Sequence, residues 1–234
     1  MALPKPVRPE YGTTIPSTGK RIKYQPFSVK EEKILILASE SQDIDEISNA
    51  ITNVLHNCVT TENFDIKDLA LFDIEYLFLK TRAKSVGEKL TVNITDPEDP
   101  SYTVEHDIDV DSIKVEKNKN HSDIVEIDEN TQIKMKYPDI NFFAEGINVS
   151  SITDRLDVAA KCVKQIVIGE DVYNQGDMSQ SEIEEWLEGL TSDQFSKVME
   201  FFLSMPKLSH KISLTNPNTK KKFTVTLEGL ADFF

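Results

Sequence analysis

The chain has 234 residues, a formal charge of −14 and a hydrophobic fraction of 39% that includes twelve phenylalanines. That is enough apolar material for one large domain or two small ones, and too much for a disordered chain. The acidic balance disfavours nucleic acid as a general partner, because most of the surface would repel phosphate.

Met1 to Tyr24 contains Pro4, Pro6, Pro9 and Pro16 and no helical period. Residues 1–27 therefore read as an extended arm, with a turn at Pro16-Ser17-Thr18-Gly19 and a short edge strand over Arg21-Ile22-Lys23-Tyr24. The arm is basic: up to Lys30, six cations stand against Glu10 alone. Residues 28–87 read as a helical part. Ser28-Val29-Lys30-Glu31 is a capping-box pattern and predicts a helix from Val29 to about Ser39, although the unbroken run Ile34–Ala38 also suits a buried strand. Asp43 is placed to cap a second helix, in which Ile44, Ile47, Ile51, Val54 and Leu55 recur at helical spacing. A third is expected over Asp68–Ser85, apolar on more than one side, with Gly87 at its end.

After Gly87 the texture changes to alternation over Lys89–Thr95, Tyr102–Val110, Ile124–Ile127 and Ile133–Tyr137. Pro97 and Pro100 interrupt it and Pro138 closes it, with polar turns at Asn118-Lys119-Asn120 and Asp128-Glu129-Asn130. Residues 88–138 thus read as an inserted antiparallel β region. It is acidic: from Glu88 to Asn130 there are thirteen carboxylates and four lysines.

Residues 139–234 read as a second helical part with a terminal hairpin and an aromatic tail. Ser151 with Asp154 predicts a helix running through Ile168, with Ile152, Leu156, Ala159, Ala160, Val163 and Val167 on one face. Gly169–Gly176 reads as a loop. Ser179 with Glu182 caps a short helix carrying Ile183, Trp186 and Leu187. Thr191 with Gln194 caps another, which Pro206 stops. Lys211–Thr215 and Phe223–Leu227 alternate around the turn residues Asn216-Pro217-Asn218-Thr219. The terminal Leu230, Phe233 and Phe234 are expected to be buried, against this chain or another. The fold class expected is α+β: a helical body, its flanking helices sharing a core, with the acidic β region inserted and a C-terminal β-hairpin.

Little in this sequence points to chemistry. Thr18-Gly19-Lys20-Arg21 lacks the first glycine of a phosphate loop and has Arg21 where Ser or Thr should follow the lysine. Asp107, Asp109 and Asp111 lack the glycine and the terminal glutamate of a calcium loop, and Ile108 and Val110 between them suggest the solvated face of a strand. His56, His106, His121 and His210 are scattered, and His56 and Cys58 would diverge on a helix. Cys58 and Cys162 sit in apolar helical patterns and read as buried thiols in a reducing compartment. No signal peptide and no apolar run of about 18 residues is apparent, so a cytoplasmic protein is expected. What remains is surface. Arg8, Tyr11, Lys20, Arg21, Lys23, Tyr24 and Phe27 alternate cations with aromatics along the arm. They suit either pairing with an acidic partner or packing on the chain's own body. Trp186 with Leu187, and Phe201 with Phe233 and Phe234, are either partner anchors or ordinary core.

The two ends carry a resemblance. The opening MALPKPVRPEYGTTIPSTGKRIKYQPFSVKEEKILILASES and the ending LEGLADFF after NPNTKKKF resemble the baseplate hub and hub-assembly family of T4-type tailed bacteriophages. The resemblance implies a non-catalytic protein–protein role in building a phage tail baseplate hub, as a hub subunit or as an assembly chaperone. With no catalytic, phosphate-loop or metal motif in the sequence, no enzyme activity and no cofactor or metal is expected. The partners implied are other hub or tail proteins, with self-association possible and no nucleic acid or membrane. The place implied is the host cytoplasm during assembly or the virion baseplate. The rival reading, from the acidic β region, is a cation-dependent or regulatory binding module.

Overall fold

The computed structural model describes residues 6–142 and 151–230, which hold six α-helices and eleven β-strands. The fold is α+β, as expected, and the strands form four small antiparallel sheets. The described residues divide into two units, 6–116 with 207–230, and 117–206.

The first unit begins with a hairpin, β1 (Tyr11–Thr14) paired with β2 (Arg21–Tyr24). Helices α1 (Val29–Ser41), α2 (Ile44–Cys58) and α3 (Leu71–Ser85) follow. The caps are those expected: Glu31 accepts from the Ser28 N–H at 2.8 Å, and Asp43 accepts from the N–H groups of Asp45 and Glu46. Helix α3 is buried on nearly every side, through Phe72, Ile74, Leu77, Phe78, Leu79 and Ala83, which is what apolar residues all round a helix require. Three of its buried polar side chains are matched. Asp73 accepts from Ser17, the Thr81 hydroxyl donates to the Leu77 carbonyl, and Glu75 accepts from the Leu230 N–H at 2.9 Å.

Strands β3 (Lys89–Asp96) and β4 (Asp99–Asp109) form a long hairpin. Leu90, Val92, Ile94 and Ile108 point inward, while Asp107 and Asp109 face water. Strand β5 (Lys114–Glu116) adds to the terminal hairpin as an edge strand. Lys207↔Glu116 pairs it with β10 (Lys207–Thr215), which in turn pairs with β11 (Lys222–Glu228). In that hairpin Ile212, Phe223 and Leu227 are buried and the interleaved polar residues are mostly exposed.

The second unit is a four-stranded sheet in the order β6 (Ile124–Glu126), β7 (Thr131–Met135), β8 (Val163–Ile168), β9 (Asp171–Asn174). It carries helices α4 (Ile152–Cys162), α5 (Gln180–Glu188) and α6 (Ser192–Ser204). Its core joins Val125, Ile133 and Ile166 from the sheet to Val158, Ile183, Leu187, Val198, Phe201 and Phe202 from the helices.

Two expectations are corrected. The helix from Ser151 ends at Cys162, and Val163–Ile168 is strand β8 instead. Val163 and Val167 satisfy a helical period, but VKQIVI is mostly β-branched, and its edge is taken by β7. The expected loop 169–176 is largely strand β9, turned at Gly169, whose φ of 61° suits glycine. Of the strands in the acidic stretch, β3 to β5 lie in the first unit and β6 and β7 in the second.

Candidate functional site

The sequence expectation of an extended arm meets a folded hairpin. Period-two alternation sends Ile22 and Tyr24 inward and Arg21 and Lys23 outward. Ile15 lies at the turn and is fully enclosed. The turn closes with the Ile15 N–H on the Lys20 carbonyl and the Gly19 N–H on the Ile15 carbonyl, each at 2.9 Å. Ser17 fixes the turn to α3 by donating its N–H (2.9 Å) and its hydroxyl to the Asp73 carboxylate. The arm residues therefore sort into anchors and surface. Tyr24 is buried, and burial pushes its phenol up to about 12. Phe27 packs with Val54 and Cys58, and Arg8 turns in to the Pro26 carbonyl at 2.9 Å. Tyr11 lies 6.0 Å from the Tyr24 ring, with the Lys84 ammonium over its own ring.

Three cations stay on the surface. Lys23 pairs with Glu10 at 2.8 Å, and Lys20 sits 5.1 Å from the centre of the Phe64 ring. Arg21 is exposed and has no ion pair or hydrogen-bonding side-chain partner among the described residues. The hairpin thus holds Arg21 and Lys23 on the outer face of β2, with Lys20 at the turn before it.

Trp186, Leu187 and Phe201 belong to the core of the second unit. Leu187 and Phe201 are buried, and Trp186 packs partly exposed against them. Phe233 and Phe234 lie outside the described residues. The aspartates considered for a cation are engaged separately: Asp107 with the Thr91 hydroxyl at 2.8 Å, Asp109 capping a 3-10 turn, and Asp111 with Lys80. The Lys80 bond holds Asp111 below the usual carboxylate range. Among the described residues, no three His, Cys, Asp or Glu come together as a metal site.

One constellation escapes a sequence reading, because its members lie far apart in the chain. In the second unit, His121 Nδ1 is 3.0 Å from Ser204 Oγ and Nε2 is 3.0 Å from the Tyr137 hydroxyl. The ring stacks on Tyr137 and lies 5.1 Å from Phe201. Ser204 gives its one hydrogen to a helix carbonyl, Glu200 at 2.7 Å, so it accepts from His121 Nδ1–H. Nε2 then accepts from Tyr137. Burial pulls the imidazole below its ordinary value, against the opposing pull of the Asp123 charge. Beside it is a polar groove of about 430 Å³ that includes Asn118, Asn120, Glu126, Lys197 and Glu200. Ser204 is not primed as a nucleophile: its proton points away from the histidine. It also stands in the last turn of α6, where helix carbonyls oppose a developing oxyanion. The cluster acts as a polar lock between the 117–124 segment and α6.

No helix among the described residues is long and apolar enough to cross a membrane. No curated protein and no solved structure matches the chain. A family model described as T4 bacteriophage base plate protein does match it, over residues 8–234. With nearly its whole length inside that match, the chain belongs to the T4 bacteriophage base plate protein family.

Proposed function

We propose that the protein serves the baseplate hub, as a hub subunit or a hub-assembly chaperone, through non-catalytic protein–protein contacts. The observation that carries this reading is the family membership over residues 8–234, together with the hub resemblance of the two ends. The β1–β2 hairpin is the contact surface we assign. Its inner face anchors it, so the backbone that carries Lys20, Arg21 and Lys23 is already ordered before a partner binds, and their positive charge on a chain of −14 gives register and steering toward an acidic surface. The phage baseplate is the place of action, reached from the host cytoplasm during assembly.

Quantitative mass spectrometry of purified virions against the known hub proteins tests this reading. Stoichiometric presence makes the chain a hub subunit. Absence from virions with abundance in infected cells makes it an assembly chaperone. Complete hubs assembled by a phage lacking the gene overturn both.

A further inference from the structure

Helix α1 buries one side only. Glu31 and Ala38 are buried and Leu35 packs with Phe27, Val54 and Cys58. The opposite side carries Val29, Lys33, Ile36, Leu37 and Glu40 at the spacing of one helical stripe, and all five are exposed. Val29 is 80%, Ile36 51% and Leu37 54% exposed, a patch that α2 leaves uncovered. Ile34, at the edge of the stripe, is also partly exposed.

The order of charges along this stripe is self-complementary. A two-fold axis placed between Ile36 and Leu37 relates position 33 to position 40. It therefore sets Lys33 of one copy against Glu40 of the other, twice, with Ile36 and Leu37 packed across the axis. Neither Lys33 nor Glu40 has an ion-pair partner among the described residues. A parallel pairing would instead set lysine on lysine and glutamate on glutamate.

We propose that α1 is a homodimerisation helix, pairing antiparallel with α1 of a second copy across that axis. This is an isologous contact, in which one patch meets itself. Thirteen residues make a helix about 20 Å long, so the interface falls at the small end, below about 1,200 Å². Association is therefore weak and depends on concentration. The paired charges set direction and register, and the apolar residues supply the attraction.

Sedimentation equilibrium on the full chain tests the proposal, at concentrations up to about 1 mM. The wild-type chain is expected to dimerise. Lys33→Glu alone turns both cross-axis attractions into repulsions, as does Glu40→Lys alone, and each should weaken the dimer about tenfold or more. An equimolar mixture of these two variants should recover it, because each chain then faces only opposite charge. The doubly swapped chain, Lys33→Glu with Glu40→Lys, should dimerise like the wild type. Both positions are exposed, so all variants should keep the wild-type circular dichroism. A wild-type chain that stays monomeric overturns the proposal, and would leave the stripe to a different baseplate protein. So does a dimer that ignores the single reversals, or a mixture that fails to recover.

Discussion

Asn216 ties the turn of one hairpin to the turn of another, and its removal has a calculable effect. The side chain is fully buried. Its Nδ2 donates to Asp96 Oδ2 at 2.8 Å and Asp99 Oδ2 at 3.1 Å, and its Oδ1 accepts from the N–H groups of Asn218 and Thr219. Asp96 is itself buried, so Asn216→Ala leaves a buried carboxylate that keeps the Glu98 N–H but loses its amide donor. One buried bond to a charged group is worth about 1.5–3 kcal/mol, and the lost turn bonds add about 1 more. We expect a destabilisation of the β10–β11 hairpin of about 3 kcal/mol. By hydrogen exchange with mass spectrometry, that is roughly a hundredfold faster exchange over residues 207–228. Asn216→Asp should be worse as pH rises, since it keeps the turn acceptor but sets a third carboxylate beside two. A change under about fivefold for Asn216→Ala, near 1 kcal/mol, would refute the reasoning.

Ile22→Ala should lower stability by about 3 kcal/mol in urea denaturation, because Ile22 is enclosed under the β1–β2 hairpin. Arg21→Glu should leave the melting temperature within a degree or so while weakening capture of the acidic hub partner in pull-downs. Equal effects of the two would mean the hairpin is only structural. Burial pushes Glu75 up to about 7, above its unfolded value near 4.5. The folded state then binds the extra proton between those values, so stability falls as pH rises from about 4.5 to 7 and levels off above. Glu75→Gln keeps an acceptor for the Leu230 N–H but cannot ionise. Its stability relative to wild type should grow by about 3 kcal/mol across that window in urea titrations, and parallel curves would contradict the assignment. Cys58 and Cys162 are buried, with thiols raised to about 11 and about 12. Both should resist maleimide in the native protein and react fully in denaturant; rapid native labelling would mean that a unit opens.

Local signals were the legible ones. Ser28 with Glu31, Asp43, Ser179 with Glu182, and Thr191 with Gln194 each mark a helix start, because a cap is written within four residues. Lys89–Thr95 and Phe223–Leu227 show their faces because one side meets core and the other water. Strand β8 was misread because Val163 and Val167 fit a helical period as well as a strand, and only its pairing with β7 decides. Strand β9 is exposed on both faces, so it has no apolar period to read. The burial of Tyr24 and Phe27 depends on α3 and on α2, which a basic, proline-rich stretch does not announce. His121, Tyr137 and Ser204 meet through tertiary structure alone.

The pairing of β5 with β10 has a consequence for how the protein is made. The first unit is discontinuous: it needs residues 207–230 to finish a sheet whose first strand is Lys114–Glu116. On the ribosome, residues 117–206 emerge complete and can fold while the earlier unit still lacks its last two strands. Until residues 207–230 emerge, β5 waits with an open edge, and α3 waits without the Leu230 N–H that Glu75 accepts. A chain truncated before residue 207 would therefore carry one finished unit and one sticky, unfinished one. Only a chain that has reached these residues can close the first unit, so translation itself times the appearance of its assembled surface.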